Sequence, residues 1–371
     1  MIDRRTGGIS TLVCAAILVS TGLQATSIAA LSFTSQDRIV NLGDSHTDGQ
    51  TYALLTQAAL AEAGKPVPLF IGAGIGGDAA SGMLMRLDRD VLVHRPTWVM
   101  LSCGANDANT GVQPSDFEVT LKAIVKRLKE ECVQLILLTI TSCRGGVQAK
   151  EREALNAIIR RIASEHHLPL AEVFNPMEAA RANGVDLWED DGRHLNLEGY
   201  RIMSRAVLDA MGYCGVPIPD KLHCALLPGT IADWKILTVD DGGPFLTEER
   251  AAALQPDENW KDLKVPDEKP QPHWWREQER SRGFAVSLNA RFGGTRHIAF
   301  AEVTSEARAA YVNTGADIKA VWFNGKRLAV EPHGWHAGNN RVPVELREGK
   351  NTIVVECDDS FFLSITETNT W

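Results

Sequence analysis

The stretch Arg38-Ile39-Val40-Asn41-Leu42-Gly43-Asp44-Ser45-His46 runs from a short apolar segment directly into a turn of small and polar residues. A brief apolar run that stops at turn residues reads as a strand buried on both faces. The same pattern recurs outward from it, at Pro68 to Ile71, Thr97 to Leu101 and Val133 to Thr139, each time followed by a segment of helix length. One of those segments carries an apolar stripe of Phe117, Leu121, Ile124, Val125 and Leu128, with Ser115 and Glu118 spaced as a capping box. Another runs from about 148 to 166 and carries Leu155, Ile158, Ile159 and Ile162. Strands alternating with helices predict an α/β domain with a parallel sheet covered on both faces.

Functional groups of such sheets gather at the carboxyl ends of the strands. Ser45 stands there after the first strand, and Asp191-Gly192-Arg193-His194 follows about 150 residues later. A serine hydroxyl becomes a nucleophile when an imidazole accepts its proton and a third group fixes the imidazole tautomer. Ser45, His194 and Asp191 can fill those roles. Asp190 is a rival carboxylate, but it precedes the histidine by four positions instead of three. Acyl transfer also needs donors for an oxyanion. Gly74-Ile75-Gly76-Gly77-Asp78 offers backbone N–H groups after the second strand, and Cys103-Gly104-Ala105-Asn106-Asp107 brings the Asn106 amide to the end of the third.

These blocks resemble those of the GDSL, or SGNH, hydrolase family over roughly residues 36 to 212. The resemblance implies a flavodoxin-like three-layer α/β/α domain and a serine esterase activity. It puts the nucleophile at Ser45, the oxyanion donors at Ser45, Gly77 and Asn106, and the acid–base pair at Asp191 and His194, with no cofactor and no metal. Asn196, Gly199 and Tyr200 fit the run that follows the family histidine. His46 departs from the leucine of the family's name, and its candidate role is to line the substrate pocket. The glycines of residues 72–77 also mimic a dinucleotide loop, but the spacing and acidic residue of that motif are missing.

At 371 residues, 44% hydrophobic and 23% charged, the chain can bury a full core and carry two domains. A net charge of −9 without a long basic run argues against a nucleic-acid partner. Arg4-Arg5, an apolar stretch from Ile9 to about Leu23 and small residues through Ala30 have the three parts of a secretory signal peptide. The apolar stretch is shorter than the ~20 residues of a membrane span. The expectation is export to the periplasm or the extracellular space after cleavage, with no stable span in the mature chain. Cys14 follows Val13, which is too large for a lipoprotein cut. Export permits disulfides, and Cys214 and Cys224 flank a short turn-rich segment that a bridge could staple. Cys103, beside the Asn106 block, reads as a buried thiol.

The expected organisation is a signal peptide over 1–30, the hydrolase domain over 34–213, a connecting region over 214–282 and an all-β sandwich, jelly-roll-like, over 283–371. The connector is rich in Pro, Asp and Lys. Beyond it, β-type runs are separated by turn residues, and Asn324-Gly325 between Val321-Trp322-Phe323 and Arg327-Leu328-Ala329-Val330 is a hairpin signal. This region resembles the galactose-binding-like sandwiches attached to glycosidases. Seven of the nine tryptophans lie beyond residue 230. Trp274, Trp275 and Trp335 are candidates for stacking on a sugar ring, with core or interface packing as the competing reading. His333-x-x-His336 reads as a polar loop instead of a metal site. The expected substrate is an ester, small or polymeric, with O-acetyl groups on polysaccharide favoured over lipid and thioester substrates. A non-catalytic glycan-binding protein is the alternative of another class.

Overall fold

The computed structural model describes residues 31–222, 226–239, 246–266, 279–330 and 340–368. The signal-peptide expectation, Cys224, Trp274, Trp275, Trp335, His333 and His336 lie outside the described residues.

Five strands, β1 (Arg38–Gly43), β2 (Leu69–Gly74), β3 (Trp98–Ser102), β4 (Gln134–Leu138) and β5 (Leu170–Ala171), form one sheet in the order β2-β1-β3-β4-β5, and every pairing is parallel. This is the flavodoxin-like order, in which the strand sequence reverses between β1 and β3 and opens a crevice at their carboxyl ends. Helices alternate with the strands: α1 (Ser45–Asp48) and α2 (Thr51–Glu62) after β1, α3 (Ala80–Met85) after β2, α4 (Ala105–Thr110) and α5 (Pro114–Glu130) after β3, α6 (Ala149–Glu165) after β4, then α7 (Phe174–Ala182) and α8 (Leu197–Ala210). The α5 stripe of Phe117, Leu121, Ile124, Val125 and Leu128 is buried and packs with Leu155, Ile159 and Ile162 of α6 and with Val99 and Leu101 of β3. The expected capping box does not form. Pro114 takes the first helical position and Gln113 the cap, so Ser115 already lies inside the helix, and Glu118 pairs with Lys122 and with Arg161 of α6.

The C-terminal region is all-β. A six-stranded sheet has the order β11-β10-β13-β8-β6-β7, from β6 (Asp233–Val239), β7 (Lys261–Lys264), β8 (Arg296–Ser305), β10 (Ile318–Phe323), β11 (Lys326–Arg327) and β13 (Gly349–Cys357). Three more strands, β9 (Arg308–Gly315), β12 (Asn340–Leu346) and β14 (Phe362–Thr366), form a second sheet in the order β12-β9-β14. All pairings in both sheets are antiparallel. Their inward residues, among them Trp234, Ile236, Val312, Val321, Ile353, Val355 and Leu363, build a shared core. The Asn324-Gly325 turn joins β10 to β11 with both residues at positive φ, 51° and 79°, as a type I′ hairpin requires.

The connecting region differs from its expected character. Within 214–282, β6 and β7 pair with each other, and β6 pairs with β8, so the sheet begins at Asp233. In these two strands Asp233, Lys235, Lys261, Asp262 and Lys264 are exposed, while Trp234, Ile236 and Leu263 face inward and are buried. Trp234, Trp260 and Trp322 all sit in apolar cores. Among the described residues, no helix is long and apolar enough to cross a membrane.

Candidate active site

β1 ends at Gly43, and α1 begins one residue after Asp44, which caps it. The Asp44 carboxylate accepts the His46 N–H at 3.0 Å, so the chain turns sharply and leaves Ser45 at the mouth of the β1/β3 crevice. The turn lies close over β2. A Cβ on Gly74 would come within 2.4 Å of the Asp48 backbone nitrogen, and any larger residue there would displace the turn.

The Ser45 hydroxyl is 2.9 Å from His194 Nε2, and His194 Nδ1 is 2.5 Å from Asp191 Oδ2. The other Asp191 oxygen accepts the N–H groups of Arg193 and His194 at 2.8 and 2.9 Å. Partial burial works against the charged carboxylate, but these two N–H groups and the imidazole outweigh it and hold the Asp191 pKa down at about 2. The loop itself is a tight turn: Trp188 bridges to Leu195, the Glu189 N–H donates to the His194 carbonyl at 2.8 Å, and the Arg144 N–H donates to the Gly192 carbonyl at 2.9 Å. Asp190 is exposed.

Gly77 has φ +77°, a conformation that favours glycine, and open space where a Cβ would be. Among the described residues neither its N–H nor that of Ser45 has a hydrogen-bond partner. The Asn106 amide donates one N–H to the Asp78 carbonyl at 2.9 Å, which draws it to the loop that carries Gly77. Three groups capable of donating to one oxygen thus stand at the ends of β1, β2 and β3, the arrangement that an oxyanion needs.

His46, the candidate pocket residue, follows Ser45 on α1. It is 6% exposed, with Nδ1 3.2 Å from Asp44 Oδ1 and Nε2 3.2 Å from the Arg193 carbonyl. It braces the Ser45 turn against the His194 loop, its ring centroid 5.7 Å from that of His194. Cys103 is buried, as expected, and burial pushes its thiol well above the ordinary value. Cys214 is an exposed free cysteine. Among the described residues no group of three or more His, Cys, Asp or Glu side chains can hold a metal.

Several supporting residues were not legible in the sequence. Arg86, 6% exposed, donates to the Gly43 and Ala73 carbonyls at 3.0 and 2.8 Å and to Asp78 at 2.7 Å, which ties the ends of β1 and β2 to the Gly77 loop. Asp107 is buried and accepts the Ala80 N–H at 3.1 Å; burial first, then the charges of Asp44 and Asp78, raise its pKa against the bonds it accepts. Arg152 and Asn109 form a chain behind Asn106. Apart from the Asn109–Asn106 contact, three residues apart, their partners are far away in sequence or belong to the backbone, so no local spacing marks them.

Residues 42–202 match the GDSL-like Lipase/Acylhydrolase family. This part of the chain belongs to that family, and the protein carries an SGNH-type esterase domain. The chain is 29% identical over 164 residues to thioesterase 1/protease 1/lysophospholipase L1 of Escherichia coli (strain K12), covering 43% of this chain and 76% of that protein. It is 25% identical over 175 residues to an acetylxylan esterase of Geobacillus stearothermophilus, covering 43% and 78% respectively. The crystal structure of an acetylxylan esterase from Geobacillus stearothermophilus is also similar, with 19% identity, a TM-score of 0.46 and coverage of 50% of this chain and 98% of that one.

Proposed function

We propose that the protein is an exported serine esterase that removes short acyl groups from hydroxyls, with acetyl groups on polysaccharide as its substrate class. Ser45 is the nucleophile, His194 takes its proton and Asp191 orients His194. The Ser45 hydroxyl adds to the ester carbonyl, and the resulting oxyanion is held by the N–H groups of Ser45 and Gly77 and by the Asn106 amide. His194 then protonates the departing alcohol. Water, deprotonated by His194, adds to the acyl-enzyme, and collapse of the second intermediate releases the acid and restores Ser45. The observation that carries this reading is the unbroken chain from Ser45 Oγ to His194 to Asp191, at 2.9 and 2.5 Å.

The acetyl preference is supported by the similarity to an acetylxylan esterase and by the β-sandwich region joined to the hydrolase domain. His194 and Asp191 side chains are each 48% exposed, which suits an ester presented on a bulky polymer. Thioester or lysophospholipid hydrolysis is the second reading, favoured by the similarity to the thioesterase and lysophospholipase of Escherichia coli. Two assays separate them. On p-nitrophenyl esters, kcat/KM should fall as the acyl chain lengthens from two carbons to eight, and acetate should be released from acetylated xylan. A preference for the eight-carbon ester together with no acetate release would sink the acetyl reading and leave the second.

A further inference from the structure

Arg152, on α6, is 1% exposed, and no carboxylate bonds to it among the described residues. A buried cation without an anion is strongly penalised unless its donors are engaged. Nη1 donates to the Thr141 carbonyl at 2.8 Å and Nη2 to Asn109 Oδ1 at 2.9 Å, while Nε has no partner. A guanidinium has donors and no acceptor. It therefore fixes which way Asn109 faces: the amide oxygen meets Arg152, and the NH2 group is turned toward Asn106. That NH2 lies 3.4 Å from Asn106 Oδ1. With its own oxygen so engaged, Asn106 must present NH2 on its other side, where one N–H reaches the Asp78 carbonyl at 2.9 Å.

We propose that Arg152 and Asn109 are positioning residues that set the direction of the Asn106 amide, so that it offers N–H and not C=O to the oxyanion. The inference rests on the reading of Asn106 as an oxyanion donor. A flipped Asn106 would set a carbonyl oxygen beside the developing negative charge and turn a stabilising contact into a repulsive one. Orientation within a preorganised site is what such a donor contributes. The alternative is that Arg152 only pins the segment after β4 to α6.

Asn109→Asp separates the two. An aspartate still accepts from Arg152, now as an ion pair, so the packing role is kept. On its far side it offers Asn106 an oxygen in place of NH2. Expected is a fall in kcat of about tenfold or more, with KM within about twofold and no loss of thermal stability. In an Asn106→Ala background the same change should have no further effect, because it acts through that amide. Full kcat in Asn109→Asp overturns the proposal. So does an undiminished effect in the double variant, which would mean that the new charge acts directly on the oxyanion. Asn106→Ala alone should lower kcat by about 10²–10³. If it does not, the oxyanion reading falls and takes this one with it; if it does while Asn109→Asp is normal, only the relay is wrong.

Discussion

Arg152 in the hydrolase domain and Arg296 in the β region are both buried, at 1% and 7% exposure, but they are accommodated in opposite ways. Arg296, on β8, is bonded through Nε and Nη2 to Glu356 of β13, which is fully buried and also accepts the Leu246 N–H at 3.4 Å. Arg152 meets only neutral acceptors. A matched pair makes few demands on its surroundings and fixes the register of two neighbouring strands. An unmatched guanidinium has only donors to offer, and here it holds the Asn109 amide oxygen, with the Asn109 NH2 group 3.4 Å from Asn106 Oδ1. In the β region the buried charge joins two strands, and in the hydrolase domain it meets the amide next to Asn106.

The comparison makes its strongest demand at the nucleophile. Ser45→Ala and His194→Ala should each lower kcat on p-nitrophenyl acetate by roughly 10⁴-fold or more, since members of one catalytic unit are not additive. Neither residue is buried in a core, so thermal stability should stay within about 0.5 kcal/mol of the parent. Asp191→Asn should be nearly as severe in kcat, and Asp190→Asn mild. Retention of more than a few per cent of activity in Ser45→Ala would break the assignment; a reversed order for the two aspartates would transfer the orienting role to Asp190.

Much of this was legible because motif and topology are local. Four apolar runs gave strands β1 to β4, and the polar blocks directly after them put Ser45, Gly77 and Asn106 at one edge of the sheet. The two-residue β5 was too short to show as a run. The braces were hidden for a different reason. Arg86 acts on carbonyls of Gly43 and Ala73, 43 and 13 residues away, and backbone acceptors leave no trace in a side-chain pattern. The contact of His46 with the Arg193 carbonyl was hidden in the same way, since a backbone acceptor 147 residues on leaves no mark beside Ser45. In the β region, Asn324-Gly325 announced its hairpin through turn chemistry, but β6 and β7 were masked by charged outward residues that alternate with Trp234, Ile236 and Leu263. Alternation, and not overall composition, carries the strand signal.

A smaller but clean contrast is expected at the Arg296–Glu356 pair. Glu356→Gln removes the anion and leaves a buried guanidinium, a change that typically costs about 3–5 kcal/mol. Calorimetry should show a lowered Tm, while kcat/KM on p-nitrophenyl acetate at 25 °C remains that of the parent. Such a variant loses stability without losing chemistry, the inverse of Ser45→Ala. If activity declined in step with stability, the β region would be shaping the catalytic site and the division of labour drawn above would be wrong.

The smallest expected effect lies where the two regions touch. Arg341 of β12 points Nη1 at Nδ1 of His94, 3.2 Å away, and the His94 carbonyl accepts from Arg38 Nε at 2.7 Å. Because arginine only donates, this contact needs the lone pair of a neutral imidazole. Burial first, then the positive charges of Arg341 and Arg38, depress the His94 pKa from 6.5 to about 4, with Asp90 opposing them. The unfolded chain therefore binds a proton that the folded chain refuses between those two values. The His94 contribution to stability is complete above pH 6.5 and is lost as the pH falls through that window to about 4. His94→Gln keeps an acceptor for Arg341 but cannot titrate. Urea midpoints measured at pH 7, 5.5 and 4.5 should show the parent losing stability relative to the variant at each step down, with hydrolysis of the small ester at pH 7 the same in both. Parallel stability profiles would mean that His94 is protonated at no cost to the fold, and that acid does not act on the protein at the junction of its hydrolase and β regions.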